Sequence, residues 1–145
     1  MSTRINIAKV EPAAYAAISG LDNYVKHSGL NVIHGELIKI RASQINGCSY
    51  CIDKHTKDAR KAGETEQRIY ALSVWRDTPF FTPEERAILA LTEEMTLIQH
   101  HVSDATYQAA AGLLEPAYLA KVMVAIMMIN LWNRYGIGTD MQPSL

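Results

Sequence analysis

Cysteine is scarce in this sequence, with two residues in 145, so the chain is not a small fold held together by a disulfide framework. Neither sign of charge is in excess. Fourteen Lys and Arg against fifteen Asp and Glu give a formal net charge of -1, which provides no broad positive field for a phosphate backbone, and no nucleic-acid partner is expected. The opening residues, Met1-Ser2-Thr3-Arg4-Ile5-Asn6-Ile7, lack the order of a secretory leader, so a cytoplasmic chain in a reducing compartment is expected. No segment alternates with the two-residue period of a half-buried strand. No apolar run reaches the roughly 18 residues that suggest a membrane span. The longest, Val122 to Trp132, contains Asn130 and is bounded by Lys121 and by Asn133-Arg134. What is present is a 48% hydrophobic composition, enough to close one core, and the expectation is a single all-α domain over residues 1–145.

Start and stop signals divide the chain into about six or seven helices. Residues 1–10 read as an extended arm. Pro12 opens a helix that Ser28-Gly29 ends. The next runs from about Asn31 to Ile45, with Ile33, Leu37, Ile40 and Gln44 along one line. Asn46-Gly47 separates it from a helix that Gly63 closes, and Thr65 to Trp75 forms a short one. Thr82-Pro83-Glu84-Glu85 is a capping box opening a helix to His100, and Ser103 caps the one after it. Pro116 opens the last, through Asn133, and Gly136-Ile137-Gly138 closes the ordered chain. Because Val122 to Trp132 is apolar on nearly every side, this helix must be central to the core or shared with another subunit. A homo-oligomer is expected, with Met95, Met123, Met127 and Met128 partly at contacts.

Both cysteines fall in one short stretch, Asn46-Gly47-Cys48-Ser49-Tyr50-Cys51-Ile52-Asp53-Lys54-His55. On a helix, positions 48, 51 and 55 share one face, and the cysteines sit at its N-terminus, where free N–H groups and the dipole favour a thiolate. In a reducing compartment such a pair points to redox or metal chemistry. His55 is one turn from Cys51, which favours its acting there, whereas the dipole favours Cys48. Glu36 lies beside Ile33, Leu37 and Ile40 on the preceding helix. Partial desolvation there is expected to raise its pKa and make it a proton carrier; the alternative is that it reaches solvent or pairs with Lys39. Zinc is the competing use of the cluster, with Cys48, Cys51 and His55 as three ligands and Glu36 available as a fourth. Covalent haem is excluded, since it requires the histidine directly after the second cysteine. His27, His100 and His101 are read as helix-end cations and His34 as a surface residue. Trp75, Trp132 and Phe80-Phe81 are read as core or interface, with some of them lining the approach to the cysteines.

Glu36, eleven residues, Cys48, two residues, Cys51, three residues and His55 together resemble the E-x11-C-x-x-C-x-x-x-H pattern of the AhpD-like alkylhydroperoxidases, within the carboxymuconolactone decarboxylase family. The flanks from Ile40 to Gly63 and from Leu72 to Glu93 are similar as well, so the likeness covers about residues 30 to 100 and more loosely the rest. The resemblance implies an AhpD-like helical subunit, assembly as trimers or hexamers, and thiol-dependent reduction of organic hydroperoxides. It implies Cys51 as the attacking thiol, Cys48 as the resolving thiol and Glu36 with His55 as a proton relay. No bound cofactor is implied, only an external dithiol, whether a lipoyl group, a thioredoxin-like protein or a small thiol. Tyr50 stands where the best-known peroxidases of the family carry a second histidine. A phenol holds its proton too tightly at neutral pH to relay it well, and general thiol-disulfide reduction tolerates that change better than peroxide reduction.

Overall fold

The computed structural model describes residues 4–144, and among them there are eight α-helices and no strand. Most boundaries follow from local chemistry. Helix α1, Ile7–Val10, is a single turn capped by the Asn6 side chain, so part of the expected extended arm is helical; residues 1–3 of that arm lie outside the described residues. Helix α2, Pro12–His27, starts on its proline. Helix α3, Val32–Asn46, begins where the Asn31 side chain accepts hydrogen bonds from the Ile33 and His34 amides. It ends at Gly47, whose φ of 72° is the left-handed conformation that glycine adopts without strain.

Helix α4 is Ser49–Lys61, and Gly63, φ 97°, follows its end. The expected helix from Thr65 to Trp75 divides into α5, Glu66–Ala71, and a 3-10 segment, Leu72–Asp77, where Val74 departs from helical φ/ψ. The Trp75 indole N–H donates to Glu93 at 2.8 Å, which ties this segment to the next helix. That helix, α6, Pro83–Thr96, carries the full capping box between Thr82 and Glu85. It stops short of His100, which falls in a separate 3-10 turn. Helix α7, Asp104–Leu113, follows the Ser103 cap. Helix α8, Pro116–Gly138, runs past the expected end at Asn133, so Gly136 lies inside the helix.

Helix α3 is the centre of the molecule, packed against α4, α6 and α8. Leu37 and Ile40 face one apolar cluster, with Ala59, Leu72, Trp75 and Leu89. Ile38 and Ala42 face the other, with Ile88, Leu91, Val122, Ile126 and Ile129. Gly35 to Ile40 are therefore buried without a break, where the sequence pattern suggests a single stripe. Each fully buried Leu or Ile in these clusters contributes about 2 kcal/mol by removing apolar surface from water.

As its composition suggests, α8 is central to the core. Met128 is buried within the subunit and so is not a surface contact, Met95 and Met123 pack half-buried against the core, and Met127 is exposed. Among the described residues, no helix is long and apolar enough to cross a membrane.

Polar groups on α8 fasten it to the C-terminal ends of α3 and α6. The Asn46 amide donates to Asn130 Oδ1 at 2.9 Å and to Asn133 Oδ1 at 2.8 Å. Asn133 donates to the Ser43 hydroxyl at 2.9 Å, and Asn130 to the Thr96 hydroxyl at 3.1 Å. Asn133 and Ser43 are fully buried, so losing one partner leaves the other unsatisfied. Asn133→Ala is expected to cost about 3 kcal/mol of stability, read as a lower urea midpoint at constant slope.

Candidate functional site

Cys48 is the N-cap of α4 and Cys51 lies in its first turn. The two are joined by a disulfide, and the Cys51 backbone N–H donates to Cys48 Sγ at 3.3 Å. Both are buried, Cys48 at 2% exposure and Cys51 at 4%, yet their surroundings differ. A β-carbon added to Gly136 of α8 would stand 3.2 Å from Cys48 Sγ and 3.7 Å from Cys51 Sγ, so α8 lies directly against the pair and a side chain there would crowd Cys48. Cys51, with Tyr50 and His55, lines a cavity of about 810 Å³. Its other walls come from Ile5 and Lys9 beside α1, Tyr15 of α2, and Trp132 and Tyr135 of α8.

Glu36 is 7% exposed and doubly held. Lys39 Nζ, itself buried, lies 2.7 Å from Glu36 Oε1, and His55 Nδ1 lies 3.0 Å from Glu36 Oε2. Burial pushes the Glu36 carboxyl up, but the hydrogen bond from His55 and the charge of Lys39 outweigh it and leave the pKa below the ordinary carboxylate value. This reverses the expectation from the apolar stripe. Glu36 therefore favours its charged form, and its pairing with Lys39 is the arrangement observed. An ionised carboxylate only accepts, so His55 Nδ1 carries the proton of that bond and Nε2 is the nitrogen not engaged in it.

The four residues singled out by spacing are thus gathered at one place, with Cys48, Cys51 and His55 on α4 and Glu36 reaching across from α3. His55 also borders a second cleft of about 140 Å³, where Glu36, Lys39, Lys54 and Asp58 meet. The donor set proposed for zinc is differently engaged: the sulfurs are bonded to each other, and both Glu36 oxygens are taken by Lys39 and His55. Glu36, His55 and Asp58 bring ligand atoms within 4.8 Å of one another, but Lys54 lies 2.6 Å from Asp58 and, with Lys39, supplies the positive charge there.

His34 is not a surface residue; it is half-buried, its Nδ1 is 2.8 Å from the Tyr118 hydroxyl, and burial holds its pKa below the ordinary imidazole value. His27 does cap its helix end, through a contact of 2.8 Å between Nδ1 and the Asn23 carbonyl.

Residues 12–94, which include all four site residues, match the model of the carboxymuconolactone decarboxylase family. The chain belongs to that family. The uncharacterized protein YdfG of Bacillus subtilis is 43% identical over 139 residues, 95% of each chain. A protein of unknown function from Agrobacterium tumefaciens, named as a candidate AhpD antioxidant defence protein, has 41% identity and a TM-score of 0.95 over 99% of each chain. A shorter likeness, 37% identity over 49 residues, links 34% of this chain to 27% of the alkyl hydroperoxide reductase AhpD of Hyphomonas neptunium. In this AhpD-like member of the family, Gly136 and the Asn46 amide cluster lie beside these residues although spacing alone did not select them, and Lys39 is the partner that spacing offered Glu36. The one signal for the cluster was a pair of asparagines in an otherwise apolar helix.

The Glu36 charge has a measurable consequence. A carboxyl that titrates lower when folded adds stability that is complete above the unfolded value of about 4.3 and is lost as pH falls through the folded value. The melting temperature of Glu36→Gln is therefore expected to fall less steeply than that of wild type between about pH 5 and about pH 2; identical slopes would contradict the charged assignment. Lys39→Met, which leaves a buried carboxylate half-paired, is expected to lose about 3 kcal/mol at neutral pH, with Lys39→Arg recovering part of it.

Proposed function

We propose that this protein is a thiol-dependent peroxidase that reduces organic hydroperoxides through a Cys48–Cys51 dithiol/disulfide cycle. The observation that carries the reading is the disulfide at the N-terminus of α4, with Cys51 opening on the cavity it shares with His55. In the reduced protein, His55 takes the Cys51 proton at its free Nε2. The thiolate attacks the terminal peroxide oxygen, an S–O bond forms as the O–O bond breaks, and the departing alkoxide leaves as an alcohol with the proton from His55. Cys48 then attacks the Cys51 sulfenic acid, closing the disulfide and releasing water.

Regeneration uses the asymmetry of the pair. An external dithiol reaches Cys51 through the cavity, so Cys48 is the leaving thiolate, and that sulfur accepts the Cys51 N–H at the helix N-terminus. The second thiol of the reductant then displaces Cys51, leaving the reductant as a disulfide. The dipole effect that favours Cys48 on sequence grounds thus serves the leaving group, while His55 serves Cys51. Glu36, held by Lys39, fixes the His55 tautomer as the buried aspartate does in a serine protease triad. The cleft behind His55 gives protons a second path to solvent.

General thiol-disulfide reduction would use the same two sulfurs and omit the peroxide step, and Tyr50 at the cavity wall is the residue that favours it. We place the chain in the cytoplasm as a homo-oligomer, a trimer or hexamer, the exposed apolar side chains of Met127 and Ile137 on α8 supporting such assembly.

Hydroperoxide consumption with dithiothreitol as reductant tests the cycle. Cys51→Ser is expected to abolish turnover. Cys48→Ser, reduced beforehand and freed of dithiothreitol, should consume one equivalent of hydroperoxide and hold a sulfenic acid detectable by mass. His55→Gln should lower kcat/KM by about 100-fold, and Glu36→Gln by about tenfold through loss of the fixed tautomer. Turnover that survives Cys51→Ser would sink the thiol mechanism, and disulfide reduction without peroxide consumption would favour the reductase reading.

A further inference from the structure

The cavity above Cys51 is far larger than a peroxide group requires. At about 810 Å³ it falls in the range that encloses a whole organic molecule. One corner of it is aromatic. Tyr15, Trp132 and Tyr135 lie with ring centroids 5.9 Å apart for Tyr15 and Trp132, 5.2 Å for Trp132 and Tyr135, and 5.9 Å for Tyr15 and Tyr135. The two Trp132 contacts are edge-to-face, which leaves each ring fixed by its neighbours, and all three side chains remain partly exposed to the cavity.

The corner is also close to the sulfurs. Gly136 lies so near them that an added β-carbon would stand within 3.7 Å of each, Tyr135 is its neighbour, and Trp132 is one helical turn earlier, about 6 Å along the axis. A molecule whose reacting bond meets Cys51 can therefore rest its body against these rings. The half-buried rings present apolar faces already held in place, so a ligand ring adds contact area without the cost of ordering them.

We propose that the Tyr15–Trp132–Tyr135 corner binds an aromatic ring on the substrate, so that the enzyme selects aryl-substituted alkyl hydroperoxides over compact aliphatic ones. The reacting bond rests on the peroxidase reading; the ring site does not.

Two measurements separate them. In steady-state assays with dithiothreitol, wild-type kcat/KM is expected to be about tenfold higher for cumene hydroperoxide than for tert-butyl hydroperoxide. Trp132→Ala and Tyr15→Leu should each bring that ratio toward about one, while Tyr70→Ala, a substitution of an exposed tyrosine on α5, should retain it. In parallel, 2-phenyl-2-propanol is titrated into the wild-type protein by tryptophan fluorescence. A saturable change is expected that tert-butanol does not produce and that Tyr15→Leu, which keeps both tryptophans, weakens about tenfold.

A wild-type ratio near one, or a ratio unchanged in both corner variants, overturns the ring site even if peroxides are consumed. If no hydroperoxide is turned over, the titration decides: saturable aryl binding that depends on Tyr15 upholds the ring site while the peroxidase reading falls, and its absence removes both.

Discussion

A carboxylate kept charged inside a helical core is the constraint on which this site depends. Glu36 sits on the helix with neighbours on three sides, where an unpaired charge would cost several kcal/mol. Lys39, one turn along the same helix, answers one oxygen, and His55 answers the other only if α4 folds back with the right face toward α3. The tight reversal at Gly47 makes that possible and leaves the next residue, Cys48, as the helix cap. Satisfying the charge and positioning the sulfurs are therefore one structural event.

The two sulfurs are chemically equivalent in sequence and unequal in place. Cys48 has the backbone N–H of α4 and the bare Cα of Gly136 beside it; Cys51 has the cavity. Thiol chemistry needs both an accessible sulfur and a stabilised leaving thiolate, and a helix N-terminus can do only one of these well for a given atom. Here the helix N-terminus faces Cys48, while His55, held from behind by Glu36, stands one turn beyond Cys51 on the same helix.

The sequence made the local features readable and the long-range ones obscure. Asn31, Thr82 with Glu85, and Ser103 act within three residues of themselves, so their caps are visible in order along the chain. The alignment of Cys48, Cys51 and His55 is likewise a property of one helix. Glu36 was found, but its titration was read with the wrong sign because an apolar stripe reveals desolvation and not the depth of Lys39, which is buried with it. Gly136 reads in sequence as a chain-ending glycine, since a glycine that terminates a helix and one that lies against a disulfide look the same there. Met128 was assigned to a contact because an all-round apolar helix does not say which side meets its own subunit.

The asparagines of α8 explain why that helix can be so apolar and still have one seating. Apolar packing alone tolerates sliding and rotation, whereas a buried amide left without its partner costs about 1 to 3 kcal/mol, so paired amides define register more sharply than a leucine does. Advancing α8 by one residue would turn it about 100° and withdraw Asn130 and Asn133 from Asn46. It would also replace Gly136 beside the disulfide with a residue bearing a side chain, where a β-carbon would already crowd Cys48 Sγ at 3.2 Å, and carry Trp132 out of the cavity. The amide cluster thus stabilises the fold and sets the redox geometry through the same bonds, and a substitution there acts on both together.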